Sequence, residues 1–319
     1  MRDKLVIIAG PTASGKSGAG IALAKRLSGS IISADSMQVY KGMDIGSAKV
    51  TPEEMDGVPH YLIDVLEPKE EWNVVRFQEE ARKAVREITD TGRLPFLVGG
   101  TGFYIQSLLY DIDFTQMEDS PAYRKELEAR EKQKPGSLYR ELAAVDPEET
   151  RQVHPNNVKR IIRALEFYHQ SGEKISQHNA AEHERPAAYD AVFFVLTMER
   201  EKLYRRIDAR VDRMLEQGLV DEVKRLRERG LTEHDVSMQG LGYRQILQAL
   251  DGKCTLEDAV IRIKTETRHF AKRQLTWFRR EEVMGRSKII WVDRDAYADE
   301  DAMLDDMESV IRGRFGIMT

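Results

Sequence analysis

Gly10-Pro11-Thr12-Ala13-Ser14-Gly15-Lys16-Ser17 is the stretch that decides the fold. It satisfies G-x-x-x-x-G-K-[ST] at every fixed position. The apolar run Leu5–Ala9 precedes it, and a helical pattern follows to about Leu27, with Gly29 as a stop. Strand, glycine loop and helix in that order make a phosphate cradle. Glycines let the backbone come close, while loop amides and the helix N-terminus present partial positive charge to phosphate oxygens. Lys16 is placed to neutralise terminal phosphates, and Ser17 to hold a Mg²⁺ bound to them. All eight residues are therefore predicted to bind a diphosphate or a nucleotide, ATP included.

Outward from this loop, Ser30–Ala34 reads as a second strand that ends at Asp35. Asn73 caps a predicted helix to about Thr91, and Leu94–Val98 is a third buried strand running into Gly99-Gly100-Thr101-Gly102 and a helix to about Tyr110. Alternating strands and helices predict a P-loop α/β fold, a parallel sheet with helices on both faces. From Phe114 to Arg185 no strand is legible. Ser120-Pro121 opens a charged helix, Lys134-Pro135-Gly136 breaks it, Asp146-Pro147 opens another, and a further helix spans about Asn157 to Gln170. Residues 114–187 are thus predicted to be an all-helical insertion in a core made of 1–113 and 188–319. Ala191–Met198 restores a strand. Helices follow at about 200–217, 219–229, 240–250 and 255–280, then a strand at Lys288–Val292 and a polar tail helix.

An NTPase of this type has a second strand ending in an acid that reaches the metal. Leu94–Val98 ends without one, whereas Ser33-Ala34-Asp35-Ser36 supplies one. Asp35 is either that metal-associated acid or a base aimed at a substrate beside the phosphates. The glycine-rich stretch Lys41–Lys49 is a loop suited to contact a substrate.

The 319 residues carry a net charge of −5, which at face value disfavours a nucleic-acid binder. The distribution says otherwise. Ala259–Arg280 holds seven basic residues (Arg262, Lys264, Arg268, Lys272, Arg273, Arg279 and Arg280) against the one acid Glu266. Helical spacing puts Leu256, Val260, Ile263, Phe270, Trp277 and Phe278 in one apolar arc with bases on both flanks. Arg205, Arg206, Arg210 and Arg213 lie on one helix, and Lys159, Arg160 and Arg163 on another. Asp295–Glu308, in contrast, holds seven acids and no base. No apolar run is long enough for a membrane span, and Cys254 is the single cysteine, so a reducing cytoplasm and no membrane are expected.

Several further motifs run in order along residues 5–292: Tyr40–Lys49, Pro59-His60-Tyr61-Leu62-Ile63-Asp64, His154-Pro155-Asn156-Asn157, Arg163-Ala164-Leu165-Glu166, Gly242-Tyr243-Arg244-Gln245 and Thr267–Arg279. With the phosphate loop and Ser33–Ser36, they resemble the tRNA dimethylallyltransferases. The resemblance implies transfer of a dimethylallyl group from dimethylallyl diphosphate to N6 of adenosine 37, next to the anticodon, with release of diphosphate. It implies that Asp35 is the general base, that Lys16, Mg²⁺ on Ser17 and Arg210 stabilise the leaving diphosphate, and that Thr101 stands at the tRNA-facing mouth of the reaction channel. It places tRNA contacts at Asp35, Ser36, Met37, Gln38, Thr101, Arg124, Lys159, Arg160, Arg163, Gln239, Gly242, Arg244, Lys272, Arg273, Gln274 and Trp277. The insertion is expected to grip the anticodon stem-loop, and the enzyme to act as a monomer. Ser17 stands where many relatives have Thr, which preserves the hydroxyl. Ile161 and Ile162 are not expected to touch RNA. A small-molecule or nucleotide kinase on the same fold would explain the loop and the arginine helix but not the basic-aromatic helix. A non-catalytic ATP-dependent RNA-binding module would leave Asp35 idle.

Overall fold

The computed structural model describes residues 2–114, 121–283, 285 and 287–317. The elements run β1 (Lys4–Ala9), α1 (Lys16–Arg26), β2 (Gly29–Ala34), α2 (Pro52–Met55), β3 (His60–Tyr61), α3 (Val74–Asp90), β4 (Leu94–Gly99) and α4 (Gly102–Leu109). There follow α5 (Pro121–Gln133), α6 (Ser137–Val145), α7 (Pro147–Gln152), α8 (Val158–Ser171) and α9 (Ile175–Glu184). The chain then returns through β5 (Asp190–Thr197), α10 (Arg200–Glu216), α11 (Leu219–Glu228), α12 (Tyr243–Leu250), α13 (Leu256–Val283), β6 (Ile289–Asp293) and α14 (Glu300–Phe315). Ser120, placed by the sequence at the start of the first insertion helix, lies outside the described residues.

The strands form one sheet in the order β3-β2-β4-β1-β5-β6, and every pairing is parallel. Both faces are covered, which is why the strands read as unbroken apolar runs rather than alternating ones. Val6, Ile8, Phe96, Val98, Val192 and Phe194 share a core with α1 and with Met303, Leu304, Met307 and Ile311 of α14. Phe193 points to the opposite face, where its ring meets Phe278 of α13 edge-on at 6.2 Å. The chain builds β2, β3 and β4 on one side of β1 and then crosses to build β5 and β6 on the other. The carboxyl end of β1 is therefore the topological switch point, where ligands bind in open parallel sheets.

Two units are distinguishable: Met1–Asp111 with Ala187–Thr319, and Ile112–Pro186. The second is helical, with its own core of Leu127, Leu138, Leu142, Val153, Ile161, Ile162, Leu165 and Phe167.

Three details depart from the sequence reading. β3 is an added edge strand of two residues, too short to show any periodicity. α6 and α9 extend the insertion beyond the helices legible in the sequence. The buried stripe of α13 is Ala259, Ile263, Ala271, Gln274, Phe278 and Glu281, while Leu256 and Trp277 are exposed. Small Ala271 and hydrogen-bonded Gln274 occupy positions that a hydropathy pattern assigns to larger apolar side chains.

Candidate active site

The loop after β1 turns its carbonyls outward, and cations receive them. Arg206 Nε donates to Ala13 O at 2.9 Å, Arg294 Nη1 to Ser14 O at 3.2 Å, and Lys16 Nζ to Pro11 O at 3.3 Å. Arg210 Nη1 donates to the Thr12 hydroxyl at 3.2 Å. Gly15 has φ +89°, and a Cβ there would run into the Arg294 guanidinium, so both conformation and space require glycine. Ala13 accepts a left-handed φ of 63° without being glycine, strain of the kind that gathers at ligand clamps. Ser14 Oγ is buried without a hydrogen-bond partner, as suits a hydroxyl that waits for a phosphate oxygen.

A cavity of about 870 Å³ opens beside the loop. Lys16, Ser17, Arg206, Arg210 and Arg213 line it together with Asp44, Ile45, Ala48 and Val50. Crowding and burial weaken the cations' hold on their protons. Burial, then the neighbouring Arg210, lowers the Lys16 ammonium to about 8, against a smaller upward pull from Asp35. Burial likewise lowers Arg210, again opposed by Asp35. Arg206 is lowered by burial and then by Arg294. Lys16, Lys49, Arg206, Arg210 and Arg213 outnumber the carboxylates of Asp44, Glu54 and Asp56 around the cavity, an excess of positive charge that suits an anion.

Asp35 and Thr101 do not line that cavity; they stand at the neighbouring strand ends. β2 and β4 pair so that Ala34 lies opposite Gly99, and Thr101 N donates to Ala34 O at 3.3 Å. Asp35 Oδ1 accepts from Met37 N at 2.8 Å and from Gln38 N at 3.4 Å. Among the described residues its Oδ2 has no protein donor. Ser36 is half-buried, and Met37 reaches Gly240, where an added Cβ would lie 2.6 Å from Met37 Cε. Gln38 is buried, its Oε1 accepts from Ser33 Oγ at 3.2 Å and its Nε2 donates to Ala48 O at 3.1 Å, which ties the end of β2 to the loop at residue 48.

Gln274 is only 7% exposed, its Oε1 accepts from Thr12 N at 2.9 Å and its Nε2 donates to Gly100 O at 2.9 Å, so it braces two loops. Trp277 is 38% exposed, packs over Gly102 so closely that a Cβ there would collide with the indole, and meets the Phe103 ring at 6.2 Å. Lys272 and Arg273 are exposed, Arg273 stacking over Phe270. The basic residues of α13 divide into two groups. Lys264 pairs with Asp212 at 2.6 Å, Arg268 with Asp208 at 2.8 Å and Arg262 with Glu266 at 3.7 Å. Among the described residues Lys272, Arg273, Arg279 and Arg280 have no ion-pair partner. Gln239 donates to Glu233 O, Gly242 N donates to Gln245 Oε1 at 2.9 Å, and Arg244 pairs with Glu266 at 2.5 Å.

Within the insertion, Arg124 grips Glu166 through Nε at 2.9 Å and Nη2 at 2.7 Å, and Arg160 pairs with Glu149 at 2.9 Å. Arg163 is pushed down by burial, then by Arg160 and Arg124, so the three arginines form one cluster. Lys159 beside them is exposed, and Ile161 and Ile162 lie in the core.

A family model described as IPP transferase matches residues 38–281, and a second, described as Isopentenyl transferase, matches residues 3–67. The chain belongs to the IPP transferase family. It is 50% identical over 308 residues to a protein of Lachnoclostridium phytofermentans named tRNA dimethylallyltransferase, covering 96% of this chain and 97% of that one. A protein of the same name from Carboxydothermus hydrogenoformans is 50% identical over 294 residues, 92% of this chain and 93% of its own. Two solved structures are also similar. The full-length tRNA isopentenylpyrophosphate transferase of Bacillus halodurans has a TM-score of 0.74 at 43% identity, covering 99% and 97% of the two chains. A eukaryotic dimethylallyltransferase acting on tRNA has a TM-score of 0.81 at 32% identity, covering 96% of this chain and 78% of that one.

Membership of the IPP transferase family sets aside the kinase alternative. It leaves several site residues that sequence reasoning missed. Arg294 and the buried acid Glu222 fall in no motif with a chemical mechanism. Lys49 was noted only as part of a loop, yet its ammonium is enclosed by Asp64 Oδ1 at 2.5 Å, Asp44 Oδ1 at 2.6 Å and Tyr40 O at 2.6 Å. A lysine between two aspartates was the one available signal. No helix among the described residues is long and apolar enough to cross a membrane.

Proposed function

We propose that the chain transfers a dimethylallyl group from dimethylallyl diphosphate to N6 of adenosine 37, beside the anticodon of a tRNA, and releases diphosphate. The observation that carries this is the placement of Asp35. Its carboxylate stands at the end of β2 next to a cation-lined phosphate cradle, and its charge acts on both Lys16 and Arg210.

The adenine N6 lone pair is delocalised into the ring, so attack on the prenyl carbon builds positive charge on nitrogen. The N6–C bond forms, the C–O bond breaks, and its electron pair leaves with the diphosphate. A carboxylate that takes the N6 proton lowers the barrier. Met37 N and Gln38 N hold Asp35 Oδ1, which leaves Oδ2 to receive that proton. Lys16, Arg210 and the loop amides stabilise the charge that grows on the leaving oxygens, with Lys16 and Arg210 themselves deeply buried. Ser17, which lines the same cavity, carries a hydroxyl that would hold a Mg²⁺, and the ion would supply further neutralising charge.

The acceptor base must leave its stack to reach a recessed electrophile. Met37 and Thr101 adjoin the segment that carries Asp35, Gly240 packs on Met37, and Trp277, packed on Gly102, offers a stacking face. Lys272 and Arg273 suit backbone phosphates. Lys159, Arg160, Arg163 and Arg124 of the insertion suit the anticodon stem-loop. In this reading the enzyme acts as a monomer.

The test is direct: purified protein, Mg²⁺, labelled dimethylallyl diphosphate and an unmodified tRNA carrying A36-A37. Label should move to the RNA. No transfer of label, together with phosphate transfer from ATP to a small acceptor, would overturn the reading.

A further inference from the structure

Glu222 lies in α11, outside the phosphate loop and outside every residue assigned so far to catalysis or tRNA. It is 2% exposed, and its carboxylate is met only by neutral donors. Oε2 accepts from Asp44 N at 3.0 Å and Ile45 N at 2.9 Å; Oε1 accepts from Gly46 N at 3.1 Å and from the Tyr243 hydroxyl at 2.7 Å. A buried carboxylate with no cation beside it is retained only where its lone pairs are filled, and these are. Three successive backbone amides aimed at one side chain fix the course of the loop they belong to.

That loop is part of the wall of the 870 Å³ cavity: Asp44 and Ile45 line the same space as Lys16 and Arg210. Tyr243 begins α12 and closes over the same loop, so that a Cβ on Gly46 would stand 2.5 Å from its Cζ. Lys49, held by Asp44, Asp64 and Tyr40 O, ties down the loop's far end.

We propose that Glu222 is a positioning residue for the donor: through the amides of residues 44–46 it sets the wall against which dimethylallyl diphosphate rests, and through Tyr243 it ties that wall to the start of α12. This rests on the function proposed above. Glu222 touches neither substrate, so its removal should loosen the pocket and leave the chemistry alone.

The experiment compares the wild type with Glu222→Gln and Tyr243→Phe. The glutamine amide must point an N–H at an existing donor, whichever way it turns. Expected for Glu222→Gln is a rise of roughly tenfold or more in the KM for dimethylallyl diphosphate, with kcat within about twofold and tRNA affinity unchanged. Tyr243→Phe, which removes one of four donors, should shift KM in the same direction by less. Calorimetric binding of dimethylallyl diphosphate reads the pocket even if no group is transferred. Failure of the wild type to transfer therefore counts against the proposed function, and unchanged donor binding in a folded Glu222→Gln counts against this inference. A fall in kcat at constant KM would also overturn it, as would loss of folding in both variants, which would make the residue structural only.

Discussion

The Gln274 carboxamide accepts the Thr12 amide at 2.9 Å across 262 positions of sequence. Its other end donates to Gly100 O, so one side chain fixes the phosphate loop against the loop that carries Thr101. Gln274→Ala would leave the part-buried Thr12 N–H and the buried Gly100 C=O without these partners, at a cost of about 1–3 kcal/mol for the buried carbonyl and less for the amide. The melting temperature should fall, and diphosphate affinity with it. An unchanged melting temperature with weakened tRNA binding would instead make Gln274 an RNA contact.

Asp35→Asn preserves the acceptor oxygen for Met37 N and Gln38 N but cannot take a proton at pH 7. Transfer should drop by at least ~10²-fold, the lower end for loss of a general base, while tRNA still binds. Single-turnover transfer and a filter-binding measurement on the same preparation check both halves. Survival of full activity would place the base elsewhere.

Lys272→Ala and Arg273→Ala remove exposed cations that have no ion-pair partner among the described residues. Each should weaken tRNA binding and flatten the dependence of log K on log salt by roughly one phosphate's worth, a slope change of about 0.7–0.9. Lys264→Ala, whose ammonium already pairs with Asp212, should change that slope less. Affinities measured across a salt series decide the matter. Identical slopes for all three variants and the wild type would make α13 an ordinary solvated helix.

Lys16 gives a pH dependence. Its ammonium is lowered to about 8 in the empty site, chiefly by burial. The donor diphosphate binds the charged form, so affinity should be full below about pH 8 and decline as pH rises past it, with a proton taken up on binding. Phosphate ionisation, with a second pKa near 6, is complete below that window and does not mask the effect. Stability of the empty protein should move the other way. Between about 8 and the ordinary 10.5 the unfolded chain holds the extra proton, so the Lys16 contribution to stability rises with pH there. Calorimetry in buffers of different ionisation enthalpy reads the proton directly; no uptake near pH 8–9 would contradict the shift.

The parallel sheet, the phosphate loop and Asp35 were legible because each depends on local sequence. An apolar run between a glycine loop and a helix needs no distant partner to be recognised. The hydrogen bonds of Gln274 and Gln38 were not legible, for the opposite reason. Their surroundings in sequence are polar and basic, and only the folded chain shows that distant backbone groups take both ends of each amide. Glu222 was missed because its partners, Asp44, Ile45 and Gly46, precede it by more than 170 positions. The arc drawn for α13 placed Trp277 inside because an indole is apolar by composition. Contact with Gly102 and Phe103 holds it instead at the rim, half in water.

The sheet does more than carry the site. α14, with most of the acids of Asp295–Glu308, packs on the α1 face, where Arg26 pairs with Asp301, Asp305 and Glu308. α13, with its uncompensated lysine and arginines, covers the other face. Most of the acids of α14 are thus tied up in ion pairs on one side of the sheet, whereas the cations of α13 that have no ion-pair partner among the described residues lie on the other. A polyanion that approaches the α13 side meets the less compensated charge, and added salt should slow that encounter.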